Sequence, residues 1–298
     1  MELLSAKRCR LSVVGNYLLF LGPALLLFLM LKFLPLVNGF LYSFTNWNGI
    51  SAEFNFAGLD NYVKLFTQDK QFWKSLTFTL SYGVISVTFI NIFAFTFAYY
   101  LSKKIPMRNV MRAGIYLPDV IGGIILGYVW QFVFLKSFPA IGEATGIQFF
   151  SQLWLGDMST AFYAMVIVQI WRKTGYAMLI YIAGFTTISN DYIEAATIDG
   201  AKQRHILWNI ILPLMRPSIT RALFITILDT LRVYDMNVSL TGGGPYRASE
   251  TITLNIRTTA FTENFMGYGS AKAMIFIVII VAITLIQVAL TSRKEVNL

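Results

Sequence analysis

The chain has 298 residues, 56% of them hydrophobic and 13% charged, with a net charge of +9, one cysteine and one histidine. A soluble domain is roughly a quarter charged, so this composition places the chain in a bilayer. Cys9 alone excludes an internal disulfide or cysteine-rich metal site and His205 alone excludes a histidine cluster. The basic residues fall in short clusters between apolar runs, as topology signals do and nucleic-acid patches do not.

A span needs about 20 mostly apolar residues. Lys7, Arg8 and Arg10 precede an apolar run in the manner of a signal peptide. That run is longer than a cleaved segment and shows no small-residue cleavage site. It therefore reads as a first span, bracketed by Arg10 and Lys32 with Pro23 inside. In GLDNYVKLFTQDKQFW (58–73), Leu59, Tyr62, Leu65 and Phe66 recur at helical spacing after Asp60. This segment is either a short amphipathic helix at the outer interface or a plain connector. The second span lies between Lys74 and Lys103 without a charge. The third runs from about Ala113 to Leu135 and holds only Asp119. The fourth, Thr160 to Phe185, carries Arg172 and Lys173 midway. The fifth, Ser218 to Leu240, is interrupted by Asp229, Arg232 and Asp235. The sixth, Ala273 to Leu290, is uninterrupted. The expectation is an all-α polytopic membrane protein of six helices, with residues 1–298 as one transmembrane domain.

Orientation follows from Lys and Arg in the short loops. With the N-terminus inside, the inner segments carry Lys7, Arg8 and Arg10, then Lys103, Lys104, Arg108 and Arg112, then Lys202, Arg204, Arg216 and Arg221, then Arg293 and Lys294. The outer ones carry Lys64, Lys70, Lys74, Lys136, Arg247 and Arg257. The inner set is roughly twice the outer, which puts both termini in the cytoplasm. Residues 186–216 become the longest cytoplasmic loop.

A charge at a helix centre costs about 2.5 to 3.5 kcal/mol on insertion scales, and a leucine returns only about half a kcal/mol. Arg172, Lys173, Asp229 and Arg232 must therefore face the bundle interior, a wet cavity or one another. Asp229 and Arg232, three residues apart, share a helix face and can pair. Such a pair can hold the fifth helix in place, line a substrate path, or do both. Arg172 and Lys173 point about 100° apart and cannot share one lining position; Arg172 is preferred. The pathway candidates are Arg172, Asp229, Arg232, Tyr234, Asp235 and Asn237. The aromatic residues Trp130, Trp171 and Tyr234 serve as core or interface anchors, or as platforms for a sugar face.

The segment EAATIDGAKQRHILWNIILP (194–213) is unusually polar for this chain. Ser189 or Asn190 can cap a helix whose first turn holds Asp191 and Glu194. Ala195, Ala196 and Gly200 admit another backbone closely, and Gly200 accepts a positive φ. A second helix over QRHILWNIIL ends at Pro213 and Pro217. The result is helix, turn, helix at the inner membrane surface, with Glu194 and Asp199 exposed.

The spacing Glu194-Ala195-Ala196, Gly200, Ile210, Leu212-Pro213 resembles the signature loop of permease subunits of binding-protein-dependent ABC importers, with no departure at those seven positions. FLGPALLLFLMLKFLPLVNGFLYSFTNW, FAGLDNYVKLF, YLPDVIGGIILGYVWQFVF, IWRKTGYAMLIYIAGFTTIS and YDMNVSLTGGGPYRASETI are similar to the carbohydrate branch, in particular the first permease of the maltose and glycerol-phosphate type. The resemblance implies a type I ABC importer transmembrane domain in a bacterial inner membrane. It is a non-catalytic subunit that pairs with a second permease, two copies of a P-loop ATPase and an external sugar-binding protein. It also implies that 186–216 is a coupling loop in which Glu194, Ala195, Ala196, Asp199 and Gly200 meet the ATPase. Gly242, Gly243, Gly244 and Pro245 would then lie outside, near the binding protein. The chain has no G-x-x-x-x-G-K-[ST], so ATP and Mg belong to the partner. An ion-coupled secondary transporter also buries charge but needs no such loop. A membrane enzyme would need a nucleophile–base pair, which His205 and Cys9 do not form.

Overall fold

The computed structural model describes residues 19–103 and 105–292; Lys7, Arg8, Cys9, Arg10, Lys104, Arg293 and Lys294 lie outside them. The described residues are helical, apart from loops and one isolated bridge between Thr45 and Phe56. They divide into two compact units. One comprises the described part of Met1–Gln68 with Ile256–Ile275, the other Asp69–Asn255 with the described residues from Phe276.

In the first unit, helix α1 covers Leu19–Tyr42 and is strongly apolar. It runs through Lys32 and Pro35 instead of ending there, widening into a π-type turn at Leu29–Phe33. The 58–73 segment is a short helix only in part: α2, Asp60–Thr67, buries Leu65 and leaves Leu59 and Phe66 outside. Asp69 then caps the next helix by accepting from the Phe72 amide. Within the first unit, two ammonium groups approach the Tyr268 ring, Lys64 at 4.7 Å and Lys272 at 4.8 Å from its centroid.

The second unit is built on α3 (Lys70–Leu101) and α6 (Met158–Thr186). At 1.5 Å per residue α3 is about 48 Å long, more than the hydrocarbon layer. Its inner stripe, Ser75, Thr79, Gly83, Ser86, Ile90, Ala94 and Ala98, is mostly small, while Val84, Ile92 and Tyr100 remain exposed. Small residues let helices approach where lipid supplies no hydrophobic drive. Across the stripe, Tyr181 donates to Asn91 Oδ1 at 2.7 Å, and Asn91 donates to Thr226 Oγ1 at 3.0 Å.

The third expected span is two helices, α4 (Arg108–Val120) and α5 (Gly123–Thr145), with extended backbone at Ile121 and Gly122. Pro118 removes a donor inside the last turn of α4, and two glycines follow the turn. The fifth span is likewise shorter than expected. It is α9, Arg216–Leu231, and after a break at Arg232–Tyr234 a separate α10 takes Asp235–Leu240. The 186–216 segment supplies α7 (Asn190–Ile198) and α8 (Gln203–Leu214), and α8 meets α9 at a 68° bend. Ile252–Arg257 forms α11, and α12 covers Met266–Ser292.

Helices α1, α3, α5 and α12 are long and apolar enough to cross a membrane, and the bent pair α8–α9 qualifies as one more broken span. Helix α6 is long enough, at 29 residues, but Arg172 and Lys173 at its middle lower its apolarity.

Glycines fix the closest crossings. A Cβ on Gly175 of α6 would lie 2.6 Å from the Tyr116 Cα of α4 and run into the Ile115 carbonyl. On α5, Gly123 and Gly127 form a GxxxG face; a Cβ on either would sit 2.9 Å from the Cβ of Asp235 or Ser239 on α10. Gly175→Val should therefore cost about 2 kcal/mol or more by overpacking, read as a lowered unfolding midpoint in detergent. Gly114→Ala, where nothing lies within 4 Å of the added atom, should leave the midpoint unchanged or raise it.

Candidate functional site

Helices α4, α6 and α9 meet at an ion cluster. The Lys173 ammonium of α6 lies 2.9 Å from Asp119 Oδ1 at the end of α4 and donates a hydrogen bond to Asp229 Oδ2 of α9 at 3.0 Å. Lys173 and Asp119 are largely buried, and Asp229 is about a third exposed, with 35% of its side chain accessible. Two carboxylates on one ammonium satisfy a charge that the bilayer would otherwise penalise heavily.

This arrangement corrects the expected Asp229–Arg232 pair. Arg232 stands at the end of α9, and its Nε donates to the Leu228 carbonyl at 3.1 Å. A cation there satisfies a terminal carbonyl and the helix dipole. Asp229 is left to Lys173. The signal available in the sequence was Asp119, the single charge of the third expected span, which calls for a cation on a neighbour.

Beside the cluster lies a cavity of about 240 Å³ lined by Gln169, Arg172, Lys173, Asp229, Arg232, Val233, Tyr234 and Asp235. It brings together five of the six pathway candidates and adds Gln169 and Lys173. Arg172 and Lys173 both reach it, Arg172 from the side of Gly123 and Lys173 from the side of Asp119. The two broken helix junctions, α4–α5 and α9–α10, flank the cavity at Gly123 and at Arg232–Asp235. Helix breaks inside a bundle are tolerated where they line such a space. A larger hollow of about 650 Å³ between α3, α4 and α6 is walled by Phe93, Phe97, Ile115, Pro118, Ile170 and Trp171. It offers few directional contacts to a hydroxyl-rich ligand.

Asn237, the sixth candidate, lies elsewhere. It is fully buried, accepts from the Thr251 amide at 3.1 Å and hydroxyl at 2.9 Å, and donates to the Ser249 carbonyl at 2.9 Å. It fastens the 241–251 loop to α10. The same loop is anchored to α3 through Glu250, which is 3% exposed. One Glu250 oxygen accepts from Gln71 at 2.7 Å, Ser75 at 2.9 Å and Asn255 at 3.1 Å; the other accepts from Arg247 at 2.8 Å. Burial pushes this carboxyl up, but the hydrogen bonds from Arg247, Gln71, Asn255 and Ser75 outweigh it and hold the pKa below the ordinary range. Gly242 and Gly243 adopt φ of +58° and +84°, which only glycine takes freely. Pro245 follows in the same turn, and Tyr246 beyond it is 87% exposed.

At the other end, Ser189 caps α7 by accepting from the Asp191 amide at 3.3 Å. Helix α7 buries none of its side chains: Glu194 and Ala195 are exposed, Ala196 is half-buried, and Ile198 is 87% exposed. Asp199 ends the helix. Gly200 follows at φ +78° with open space around it, so its backbone angle, and not crowding, requires glycine. Ile193, Ala196 and Ala201 pack on a core that includes Ile188, Ile206, Ile211 and Met215. Gly184 of α6 lets Ser218 and Met215 approach that core closely. The loop is a formed surface attached to α6 on one side and α9 on the other.

Residues 90–296 match the family model described as the binding-protein-dependent transport system inner membrane component. The chain is 42% identical to a probable starch degradation products transport system permease protein, AmyD, of Thermoanaerobacterium thermosulfurigenes, across 95% of this chain and 96% of that protein. It is 32% identical to the multiple sugar-binding transport system permease protein MsmF of Streptococcus mutans, over 93% and 95%. Its fold is similar to a chain of a bacterial alginate ABC transporter solved in complex with a pentasaccharide-bound periplasmic protein. The TM-score is 0.82 at 20% identity, covering 96% of this chain and 98% of that one.

Removing one partner of a buried ion cluster leaves unpaired charge, at a cost of about 3 to 5 kcal/mol. With Asp229 partly in water, Lys173→Met should cost roughly 2 to 3 kcal/mol, seen as a lower unfolding midpoint. Lys173→Met with Asp119→Leu should recover part of that loss. The Glu250 anchor should be fully present above the ordinary glutamate value of 4.5 and be lost as pH falls through the lowered one. Amide exchange over 241–251 should accelerate in that acid window, and Glu250→Gln should remove the pH dependence.

Proposed function

This chain belongs to the family of binding-protein-dependent transport system inner membrane components, and on that premise we propose how its parts serve a sugar ABC importer. It is a multi-pass inner-membrane permease subunit and catalyses no reaction itself. It works with a second permease, with ATPase subunits and with a sugar-binding protein. ATP and Mg act on the partner ATPase. In our reading the chain is one transmembrane domain of six crossings with both termini in the cytoplasm. The loop 186–216 faces the ATPase and the loop 241–251 faces the binding protein.

The observation that carries the coupling assignment is α7. A capped helix that buries none of its side chains, closed by a left-handed Gly200 and packed onto the α6–α9 junction, is built to receive force from outside the chain. Glu194 and Asp199 present negative charge to a basic groove, and Ala195 and Ala196 keep the contact surface low. A push on α7 passes through Ile193, Ala196 and Ala201 to the core of Ile206, Ile211 and Met215. That core sits at the bend between α8 and α9, and α9 carries Asp229 to the cavity. Arg172, Asp229, Arg232, Tyr234 and Asp235 thus line the path that the stroke opens and closes. An ion-coupled secondary transporter, the alternative that buried charges allow, has no use for this exposed helix.

The relatives named for starch degradation products and for multiple sugars support an oligosaccharide as cargo. Glu194→Arg should abolish co-purification of the ATPase while leaving the second permease bound. Mass spectrometry of the complex withdrawn gently from its own membranes reads this directly. An ATPase retained at native stoichiometry would contradict the coupling assignment.

A further inference from the structure

The hollow of about 650 Å³ between α3, α4 and α6 is a slot along the helices. Phe93 and Phe97 lie one turn apart on its α3 wall. Gly114, Leu117 and Ile121 follow one another along its α4 wall, a run of about 10 Å at the helical rise. Phe93, Phe97 and Leu117 remain exposed, so the slot is open to the surroundings of the chain. At Gly114 an added Cβ would meet nothing within 4 Å. Thr174, the polar side chain of the lining, already donates to the Ile170 carbonyl at 2.6 Å. A space with this lining does not hold ordered water. It suits a chain of methylene groups.

Three cations stand at the end of the slot where α3 stops and α4 starts. Arg108, Arg112 and Ile115 share one face of α4 by spacing, and Ile115 lines the slot. Arg112 is tied to the end of α3, because its Nη2 donates to the Leu101 carbonyl at 2.6 Å; its Nε has no acceptor among the described residues. The exposed Lys103 places its ammonium 4.3 Å from the Tyr99 ring centroid. There is no Asp or Glu from Tyr99 to Pro118. Among the described residues none of the three cations is paired with a carboxylate, and Asp119, the next acid along α4, is held by Lys173. Two tyrosines, Tyr99 and Tyr100, stand beside the cations, as aromatic side chains do at a membrane–water interface. An apolar slot with surplus positive charge at one end complements a molecule with an acidic head and a hydrocarbon tail. Basic pockets between membrane helices take anionic lipid head groups in this way. A helix of a second permease fills the slot equally well but leaves the cations without acceptors unless it also brings carboxylates.

We propose that this hollow binds an acyl chain of an anionic glycerophospholipid of the inner leaflet, whose phosphate head group is held by Lys103, Arg108 and Arg112. The chain runs along Phe97 and Leu117 toward Ile121 and Trp171. Ile121 belongs to the extended link between α4 and α5, so the bound lipid packs against that break. The leaflet rests on the orientation proposed above; the choice of an anionic lipid does not.

The test uses the importer assembled with its partner subunits in phosphatidylethanolamine vesicles. These carry a trace of photoactivatable phosphatidylglycerol or of photoactivatable phosphatidylcholine, each with its reactive group midway along an acyl chain. After irradiation the labelled peptides are identified by mass spectrometry. The native complex is expected to be labelled within 93–121 at least fivefold more by phosphatidylglycerol than by phosphatidylcholine. Arg108→Gln and Arg112→Gln should each lower the phosphatidylglycerol labelling about fivefold and leave the phosphatidylcholine labelling unchanged. Gly114→Leu, which fills the slot and keeps the cations, should lower the phosphatidylglycerol labelling as well. Equal labelling of the native complex by the two lipids would overturn the proposal, and that comparison needs no variant to assemble. Labelling by neither would show the slot covered by the second permease and would also overturn it. Selective labelling that Gly114→Leu does not reduce would overturn the hollow as the seat of the chain. In a Cys9→Ser background, Lys103→Cys reached by an impermeant thiol reagent only from outside would refute the orientation, and with it the leaflet, whatever the photolabelling shows.

Discussion

One ammonium held between two carboxylates organises the centre of this protein. Lys173 lies at the middle of a 29-residue helix, where an isolated charge would not be tolerated, and Asp119 and Asp229 reach it from two other helices. The cluster can form only because α4 ends where it does and α9 begins its break a few residues later. Gly175 sets the α4–α6 distance one half-turn beyond Lys173, and Gly123 and Gly127 set the α5–α10 distance on the far side of the cavity. Close backbone contact and charge pairing therefore depend on each other. The glycines bring the helices within reach, and the ion cluster fixes which faces meet.

The apolar runs gave the helices themselves directly, because a bilayer demands long uninterrupted segments. The breaks were harder to see. Nothing in hydropathy separates α4 from α5; Pro118 and the Gly122–Gly123 pair are the only marks, and both residue types also occur inside continuous membrane helices. Asp229 and Arg232 share a helix face by spacing, yet the partner of Asp229 comes from a helix some 56 positions earlier in the chain, a choice that local periodicity does not encode. Asn237 shows the same limit. It is polar and lies near the charged group, but α10 turns it toward Ser249 and Thr251 instead of the cavity. Gln169 was invisible because a lone glutamine in a helix carries no spacing signal.

The two loops were legible for opposite reasons. The 186–216 loop stands out because Ser189, Asp191 and Gly200 have capping and turn chemistry that local sequence determines. The structure places Ser189 at the cap and Gly200 in the left-handed turn. The 241–251 loop reads as glycine and proline alone, and its rigidity comes from Glu250, which draws hydrogen bonds from residues more than 170 positions away. These loops lie at the two ends of the unit that contains the polar cavity. The functional account depends on that cavity being an aqueous route and not a sealed polar core.

Cysteine accessibility tests that claim most directly. Cys9 is the single native cysteine, so Cys9→Ser provides a clean background for Asp235→Cys at the cavity and Val84→Cys on the exposed apolar face of α3. The complex is held in native membranes and treated with a charged, membrane-impermeant thiol reagent from either side. The account predicts that Asp235→Cys is labelled, that saturating transported sugar slows the labelling, and that Val84→Cys stays unlabelled. An Asp235→Cys that resists the reagent from both sides, in a complex that still imports sugar, would contradict it.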